Sequence, residues 1–216
     1  MDKVSVLASG GLDSSVLVAQ LAATAQVHPI YIRCGLKWEA MELAGLERFL
    51  AALKNRNVMP LTVLSLPTAA IYGDHWSITG ADVPNADAPD EEVLIPGRNI
   101  LLIGLAAVWC STRGVSRIAI GSLDANPFPD ATPEFFDSFA RALSIGLGCS
   151  VRVEAPFRNL HKEDLISQFK DLPLELTLTC MAPRDGGIHC GQCNKCRERQ
   201  LAFQKAGVAD RTRYAA

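Results

Sequence analysis

The chain alternates short β-rich apolar runs with helical patterns, and this alternation constrains its fold more than any other feature. The strand patterns cover residues 3–8, 27–33, 58–66, 117–121 and 151–154. Helical patterns lie at 13–25, 37–54, 98–112, 133–147, 162–169 and 194–206. Strands that alternate with helices are typical of a parallel sheet with right-handed crossovers. We therefore expect an α/β fold with a Rossmann-like, parallel five-stranded sheet and helices on both faces.

The length of 216 residues predicts one main domain with an appendage. We place an α/β domain at 1–175 and a small C-terminal module at 176–216, where cysteines cluster. Between the third strand and the next helix, residues 67–94 show weak periodicity and several acidic side chains. We expect a long irregular excursion there, and long loops in compact domains are often functional.

Composition excludes several classes of protein. Hydrophobic residues make up 49% of the chain and the formal net charge is −2, which is not the composition of a disordered chain. The chain has no overall excess of basic residues, so its charge does not indicate nucleic acid or an anionic membrane as a partner. The N-terminal residues lack a signal-peptide pattern, and the longest apolar run, 100–110, is too short to cross a bilayer. We therefore expect a cytoplasmic protein without a membrane partner.

The segment that follows the first predicted strand carries the strongest candidate for a binding site. It consists of Ser9, Gly10, Gly11, Leu12, Asp13, Ser14 and Ser15. Ligands of open α/β sheets bind beyond the carboxyl ends of the strands, and glycines let the backbone approach phosphate oxygens closely. Free N–H groups in the first turn of the following helix also favour an anion. The alternative is a tight turn in which Asp13 or Ser14 only caps the helix.

Four of the seven cysteines lie close together in the C-terminal part of the chain. They are Cys180, Cys190, Cys193 and Cys196, with the spacing C-x9-C-x2-C-x2-C. Four thiolates can close a tetrahedral shell around zinc with no open position, so we expect a structural zinc site. The alternatives are cysteines that bind nothing and an iron–sulfur cluster, although the spacing lacks the bacterial ferredoxin pattern. His189 could replace one of the ligands.

Several segments resemble a known enzyme family. The loop from Ser9 to Ser14 is similar to the S-G-G-x-D-S loop of the PP-loop ATP pyrophosphatases. Other landmarks resemble the 7-cyano-7-deazaguanine synthases: Pro96-Gly97-Arg98-Asn99, Pro129-Asp130, Pro133-Glu134-Phe135, Leu160-His161-Lys162-Glu163 and the cysteine tail up to Arg199. They follow the order of the family from residue 4 to about 205. The resemblance implies the fold of the adenine nucleotide α-hydrolases.

The resemblance also implies a reaction and a set of roles. ATP and magnesium would activate the carboxylate of 7-carboxy-7-deazaguanine by adenylation, and ammonia would convert it through the amide to 7-cyano-7-deazaguanine, the nitrile of queuosine-type biosynthesis. The serines and glycines of the 9–15 loop would cradle the pyrophosphate. Asp13, Lys162 and Arg98 are the candidate catalytic residues. Asp13 would cap the helix or contact magnesium, and Lys162 and then Arg98 would contact phosphate.

Two of these roles have a structural alternative. Lys162 could be a solvated residue of a first helical turn, and Arg98 could brace the long loop. Asp130 is the candidate for recognising the substrate base, because a carboxylate can accept two hydrogens from a guanine-like edge. Its alternative is a turn-forming aspartate between Pro129 and Pro133.

Three segments depart from the family pattern. The chain reads Arg33-Cys34-Gly35-Leu36-Lys37-Trp38 where the family usually has a Tyr-Gly-Gln-Arg-His stretch. Residues 125–132 stand where the family has D-Y-S-G-Y-P-D-C-R, without its tyrosine, cysteine and arginine. Either Lys37 or Arg33 compensates for the missing cation, or the substrate differs. Residues 71–77 also depart, and their three aromatic side chains could stack on a base or pack the loop.

The departures keep a second hypothesis open. A paralogue with the same adenylating core would transfer the acyl group to another amine, on a protein or a nucleic acid. A third hypothesis, a nucleotide- or zinc-binding module without enzymatic activity, is disfavoured by the intact loop at 9–15. For the main hypothesis we expect a small-molecule deazapurine carboxylate and ammonia as partners, and family analogy predicts a homodimer.

Overall fold

The computed structural model describes residues 2–124 and 126–215. Met1, Ala125 and Ala216 lie outside the described residues, and Ala125 belongs to the departing segment 125–132. The described residues form a five-stranded sheet in the order β3-β2-β1-β4-β5, and every neighbouring pair is parallel. The strands are β1 (Lys3–Leu7), β2 (Gln26–Arg33), β3 (Thr62–Ser65), β4 (Arg117–Ala119) and β5 (Arg152–Glu154).

The helices connect these strands and extend the chain beyond them. They are α1 (Leu12–Leu21), α2 (Glu39–Leu53), α3 (Ala69–Tyr72), α4 (Trp76–Thr79), α5 (Arg98–Ser111), α6 (Pro133–Leu147), α7 (Lys162–Gln168) and α8 (Asn194–Ala206). The excursion after β3 contains α3, α4 and a 3-10 turn at Asp90–Val93. It is therefore less irregular than the sequence predicts, because its short helices are too brief to leave a periodic pattern.

The sheet is covered on both faces, as expected. Alternation along β2 sends Ile30 and Ile32 to one face and Val27 and Tyr31 to the other. The first face packs on α5 and α6, and the second on α1, α2, α7 and α8. The predicted Rossmann-like α/β fold is confirmed.

The strand order reverses direction at β1, which lies between β2 and β4. The loop 9–15 follows β1, and residues 120–123 follow β4. Ligands of doubly wound sheets bind in the crevice at such a switch point. The topology therefore brings the candidate phosphate loop to the expected edge of the sheet.

The C-terminal segment packs against the rest of the chain. Cys180, Cys190, Cys193 and Cys196 are buried in the same hydrophobic cluster as α5 and α6. Cys193 pairs with Asn85 of the excursion in an antiparallel bridge. The boundary between 175 and 176 stays a prediction. Over the described residues, no helix is both long enough and apolar enough to cross a membrane.

Candidate functional site

A cavity of about 540 Å³ lies beyond the carboxyl ends of β1, β2 and β4. This volume is within the range of small-molecule sites. The wall is formed by the loop after β1, the starts of α5 and α7, one side of α8 and aromatic side chains from the excursion. The cavity thus has a polar side and an apolar side.

Hydroxyl groups hold the loop 9–15 in its conformation. Ser14 Oγ accepts a hydrogen bond from Ser9 N at 3.2 Å and lies 3.1 Å from Ser9 Oγ. Ser9 Oγ accepts from Gly11 N at 3.2 Å. Ser9, Gly11, Leu12, Asp13 and Ser14 line the cavity, whereas Gly10 and Ser15 lie outside its wall among the described residues. The loop therefore presents two hydroxyls and a helix N-terminus to a ligand.

Two glycines permit close packing around this loop. Gly10 has φ +82°, and a Cβ atom there would lie 2.7 Å from Glu42 O. A Cβ atom on Gly121, after β4, would lie 3.0 Å from Ser14 N. Side chains at either position would push the loop away from its neighbours. Leu178 N also donates to Gly10 O at 2.9 Å, which joins the loop to the C-terminal segment.

Lys162 is held in the cavity by two carboxylates. Its Nζ lies 3.3 Å from Asp13 Oδ2 and 2.6 Å from Glu198 Oε1, and its side chain is only 11% exposed. Burial alone would lower the pKa of Lys162, but Asp13 and Glu198 raise it above its ordinary value. Lys162 is therefore a fixed cation beside the loop, unlike a solvated residue of a first helical turn.

Asp13 is the acidic residue of the loop. Burial raises its pKa above the ordinary value, and Lys162 opposes this effect. Its Oδ1 is buried without a hydrogen-bond partner among the described residues. Such an oxygen suits a cation better than an anion, and the role of Asp13 stays a prediction.

A second lysine reaches the cavity from α8. Lys195 Nζ lies 2.7 Å from Glu198 Oε2 and 3.5 Å from Asp90 Oδ1. Burial would raise the pKa of Glu198, but Lys162 and Lys195 lower it to about 2. Sequence reasoning missed Lys195, Glu198 and Asp90 as cavity residues, because their roles depend on how α8 packs.

Arg98 begins α5 and faces a buried acid. Its Nε is buried without a partner within the described part of the chain. Glu42 of α2 is 6% exposed and accepts a hydrogen bond from Tyr31 Oη at 2.8 Å. Burial raises the pKa of Glu42 to about 7, against the opposing effect of Arg98. All three residues line the cavity. In the sequence, Glu42 stands among the buried apolar residues of α2, and an acidic residue in that position was the signal that could have indicated a functional role.

Aromatic rings form part of the apolar side. Trp38 and Trp76 are stacked with 5.6 Å between ring centroids and 14° between planes, and both line the cavity. Tyr72 instead donates to Pro96 O at 2.9 Å, and His75 Nδ1 lies 2.8 Å from Ser77 Oγ. Of the three aromatic residues in 71–77, Trp76 alone reaches the cavity wall as the described residues form it.

The three predicted substrate residues lie outside the wall formed by the described residues. Asp130 is buried and accepts from Asn99 N at 2.9 Å, at the start of α5. Asn99 itself lines the cavity. Arg33 and Lys37 are exposed. The structure thus brings together the loop, Lys162 and Arg98, and leaves these three residues at the periphery.

The four clustered cysteines form a compact, buried group. Their sulfur atoms lie within 4.8 Å of one another, with Cys190 Sγ 3.9 Å from Cys196 Sγ and Cys193 Sγ 4.0 Å from Cys180 Sγ. A tetrahedral ion with bonds of about 2.3 Å requires sulfur separations of about 3.8 Å, so the group fits a metal ion.

Backbone groups support the charge of these sulfurs. Cys190 N donates to Cys180 Sγ at 3.2 Å, and Gln192 N donates to Cys190 Sγ at 3.4 Å. His189 lies outside the sulfur group. It packs edge-on against Tyr214 at 5.6 Å, and burial lowers its pKa to about 4. The cluster is therefore compatible with a metal ion held by four cysteines.

The fold and the cavity define a doubly wound α/β protein with a candidate phosphate-binding loop at the switch point of its sheet. A family model described as "Queuosine biosynthesis protein QueC" matches residues 3–207. The chain therefore belongs to the QueC family.

Named relatives agree with this assignment over nearly the full length. A 7-cyano-7-deazaguanine synthase of Pseudomonas fluorescens is 33% identical, with 97% of this chain and 96% of the relative aligned. One of Methanothermobacter thermautotrophicus is 31% identical over 99% of both chains. The chain is also similar to a solved structure, that of a predicted subunit of tRNA methyltransferase from Methanocaldococcus jannaschii. The match covers 100% of this chain and 93% of the other chain, with 14% sequence identity and a TM-score of 0.48.

Proposed function

We propose that the chain is an ATP-dependent 7-cyano-7-deazaguanine synthase. The carboxylate of 7-carboxy-7-deazaguanine is adenylated with release of pyrophosphate, and ammonia displaces AMP to give the amide. A second ATP adenylates the amide oxygen with release of a second pyrophosphate. That oxygen then leaves as part of AMP while the nitrile forms. The observation that carries the proposal is one cavity that joins the 9–15 loop and Lys162 to an apolar, aromatic wall.

The polar side of the cavity suits the triphosphate. Charge develops on the α-phosphate and on the leaving pyrophosphate, and fixed donors and cations stabilise it best. Ser9 and Ser14 supply hydroxyls, and Lys162 supplies a cation that is already held in place. Arg98 supplies a guanidinium whose Nε has no partner in the described structure. These groups would hold the reacting phosphates.

Two metal ions belong to the proposal. Magnesium would be held by Asp13, whose Oδ1 has no hydrogen-bond partner among the described residues and fits a cation, and it would neutralise phosphate charge. Zinc would occupy the four-cysteine group, because closed thiolate shells of this size are typical of structural zinc. The zinc site would fix the start of α8 and take no part in the reaction.

The apolar side suits the planar deazapurine. The Trp38–Trp76 pair offers an aromatic surface beside the loop. Asp130 remains the proposed contact for the guanine-like edge, and it would act together with Asn99, which it binds and which lines the cavity. Lys37 or Arg33 remains the proposed substitute for the missing cation, which would require the 33–38 segment to close on the substrate.

The acyl-transfer alternative is not favoured, because the matching relatives are synthases over almost their entire length. The proposed small-molecule partners are the deazapurine carboxylate and ammonia. We also retain a cytoplasmic location and a homodimer as proposals.

Pyrophosphate and AMP release test the proposed function. Purified protein is incubated with Mg-ATP and 7-carboxy-7-deazaguanine, with and without ammonium, and the product is identified by mass spectrometry. We expect the nitrile, with two pyrophosphates released for each product. Lys162→Met should lower the rate by about 100-fold or more, since it removes a cation from the developing charge. Lys170→Met, at an exposed position just after the helix that Lys162 begins, is the matched control.

Two results would contradict the proposal. Product that stops at the acyl adenylate or the amide would favour another acceptor. ATP binding without pyrophosphate release, in the presence of the carboxylate and ammonium, would exclude this synthase activity.

A further inference from the structure

Glu198 is the carboxylate that contacts Lys162 most closely. The distance from Lys162 Nζ is 2.6 Å to Glu198 Oε1 and 3.3 Å to Asp13 Oδ2. A lysine ammonium sits on a flexible four-carbon stem, so its position depends on the groups that bind it. The ammonium of Lys162 therefore lies between Asp13 and Glu198, closer to Glu198 on α8.

Glu198 stands on a rigidly supported helix. Cys193 precedes α8, and Cys196 in its first turn belongs to the buried sulfur group. The excursion supports the same turn from outside, since Asn194 Nδ2 donates to Ala88 O at 2.8 Å and Asn194 N donates to Pro84 O at 3.0 Å. The first turn of α8 is thus fixed on two sides, which defines where Glu198 points.

The second oxygen of Glu198 binds another lysine. Glu198 Oε2 lies 2.7 Å from Lys195 Nζ, and Lys195 Nζ lies 3.5 Å from Asp90 Oδ1. Opposite charges therefore alternate from Asp13 through Lys162, Glu198 and Lys195 to Asp90. Networks of this kind hold geometry better than an isolated surface pair.

We propose that Glu198 is a positioning residue for Lys162, and that it ties the four-cysteine segment to the phosphate side of the cavity. The inference rests on the proposed function, in which Lys162 contacts phosphate. Glu198 acts through Lys162 and does not itself touch the reacting atoms. Removing its charge leaves Lys162 with Asp13 as its remaining ion-pair partner among the described residues.

Three variants test this role. Glu198→Gln removes the charge at nearly constant shape, and Glu198→Asp restores the charge on a shorter stem. Glu154→Gln is the matched control, because Glu154 forms an ion pair with Arg117 Nε at 2.8 Å and neither residue lines the cavity that the described residues form. Metal content is measured in every variant, so that loss of the four-cysteine site is recognised directly.

The kinetic readout separates positioning from simple binding. We expect kcat of Glu198→Gln to fall about 10- to 100-fold while KM for ATP changes less than about threefold, since misplacing a catalytic group by an ångström has this effect. Glu198→Asp should recover part of kcat, and Glu154→Gln should match the wild type. An unchanged kcat, or a change confined to KM, would overturn the inference.

A second readout does not depend on turnover. Brief acylation of lysines with acetic anhydride, followed by mass spectrometry, reports how firmly each ammonium is held. Lys162 should be acylated several-fold faster in Glu198→Gln, while Lys170 and Lys205 keep their wild-type rates. An unchanged rate at Lys162 would overturn the inference even if the wild type releases no pyrophosphate. A wild type that is inactive while Lys162 responds would instead contradict the proposed function alone.

Discussion

Gly10 packs directly against the backbone of Glu42, since a Cβ atom on Gly10 would lie 2.7 Å from the Glu42 carbonyl oxygen. The same glycine has φ +82°, a left-handed conformation that costs other residues about 1–2 kcal/mol. The phosphate side of the cavity and α2 are therefore in contact at a point that has no room for a side chain.

We expect Gly10→Ala to impair both folding and ATP binding. The free energy of unfolding should fall by more than ~2 kcal/mol, because strain in φ and a steric clash act together. Gly148→Ala is the control, because Gly148 has φ +63° and no atom of the described residues lies within 4 Å of its Cβ position. Urea unfolding and calorimetric titration with ATP check both effects. Equal losses in the two variants would show that the contact with Glu42 has no cost.

Glu42 should make stability fall as the pH rises. Its folded pKa is raised from 4.5 to about 7, so the folded state keeps a proton that the unfolded state loses. The stability from this group is complete below pH 4.5 and is lost as pH rises through 7. The Glu42→Gln variant lacks the titrating group and so lacks this loss. Between pH 5 and pH 8 its free energy of unfolding should rise by up to ~3 kcal/mol relative to that of the wild type.

Urea unfolding at the two pH values measures this difference. Glu47→Gln is the control, because Glu47 is exposed on the same helix. A stability difference between Glu42→Gln and the wild type that stays constant with pH would contradict the raised pKa of Glu42.

The four-cysteine group should bind one zinc ion for each chain. Cys196→Ser should lose the metal and destabilise the C-terminal segment, because the three remaining buried sulfurs then no longer share a metal ion. Cys149→Ser, at an exposed and separate cysteine, should retain the metal. Elemental analysis and urea unfolding check both expectations. Iron with visible absorption, in place of zinc, would indicate a cluster.

Arg199 should be essential for stability. Its side chain is fully buried and donates to Thr212 Oγ1 at 2.8 Å, Thr177 Oγ1 at 2.9 Å and Leu174 O at 2.8 Å. Arg199→Ala should lower the free energy of unfolding by about 3–5 kcal/mol, since it leaves buried groups unpaired. Arg197→Ala, two residues away and exposed, should change it by less than ~0.5 kcal/mol. Comparable losses would contradict the anchoring role of Arg199.

Features that depend on local sequence were predicted well. The sheet follows from the apolar periodicity of the strands, and the loop at 9–15 follows from its glycines and its place after β1. The sulfur group follows from spacing alone. Each of these leaves a short pattern in the sequence, so one sequence is enough to indicate it, although the strands themselves pair over long separations.

Features that depend on packing between distant elements were not predicted. Nothing in the pattern of α8 indicates that Glu198 and Lys195 reach the cavity, because the helix has polar residues on most sides. Lys162 was expected near phosphate, but its pairing with Glu198 joins residues 36 positions apart. Such contacts appear only when the helices are placed.

The cavity wall is assembled from residues as far apart as Leu7 and Lys205. Leu178 supports the loop at Gly10, and Glu198 holds Lys162. A growing polypeptide on the ribosome therefore exposes its glycine loop long before it possesses the partners that shape it. The wall of the proposed nucleotide site is complete only after α8 has been synthesised, so we expect nucleotide to stabilise the full chain and not its N-terminal fragments.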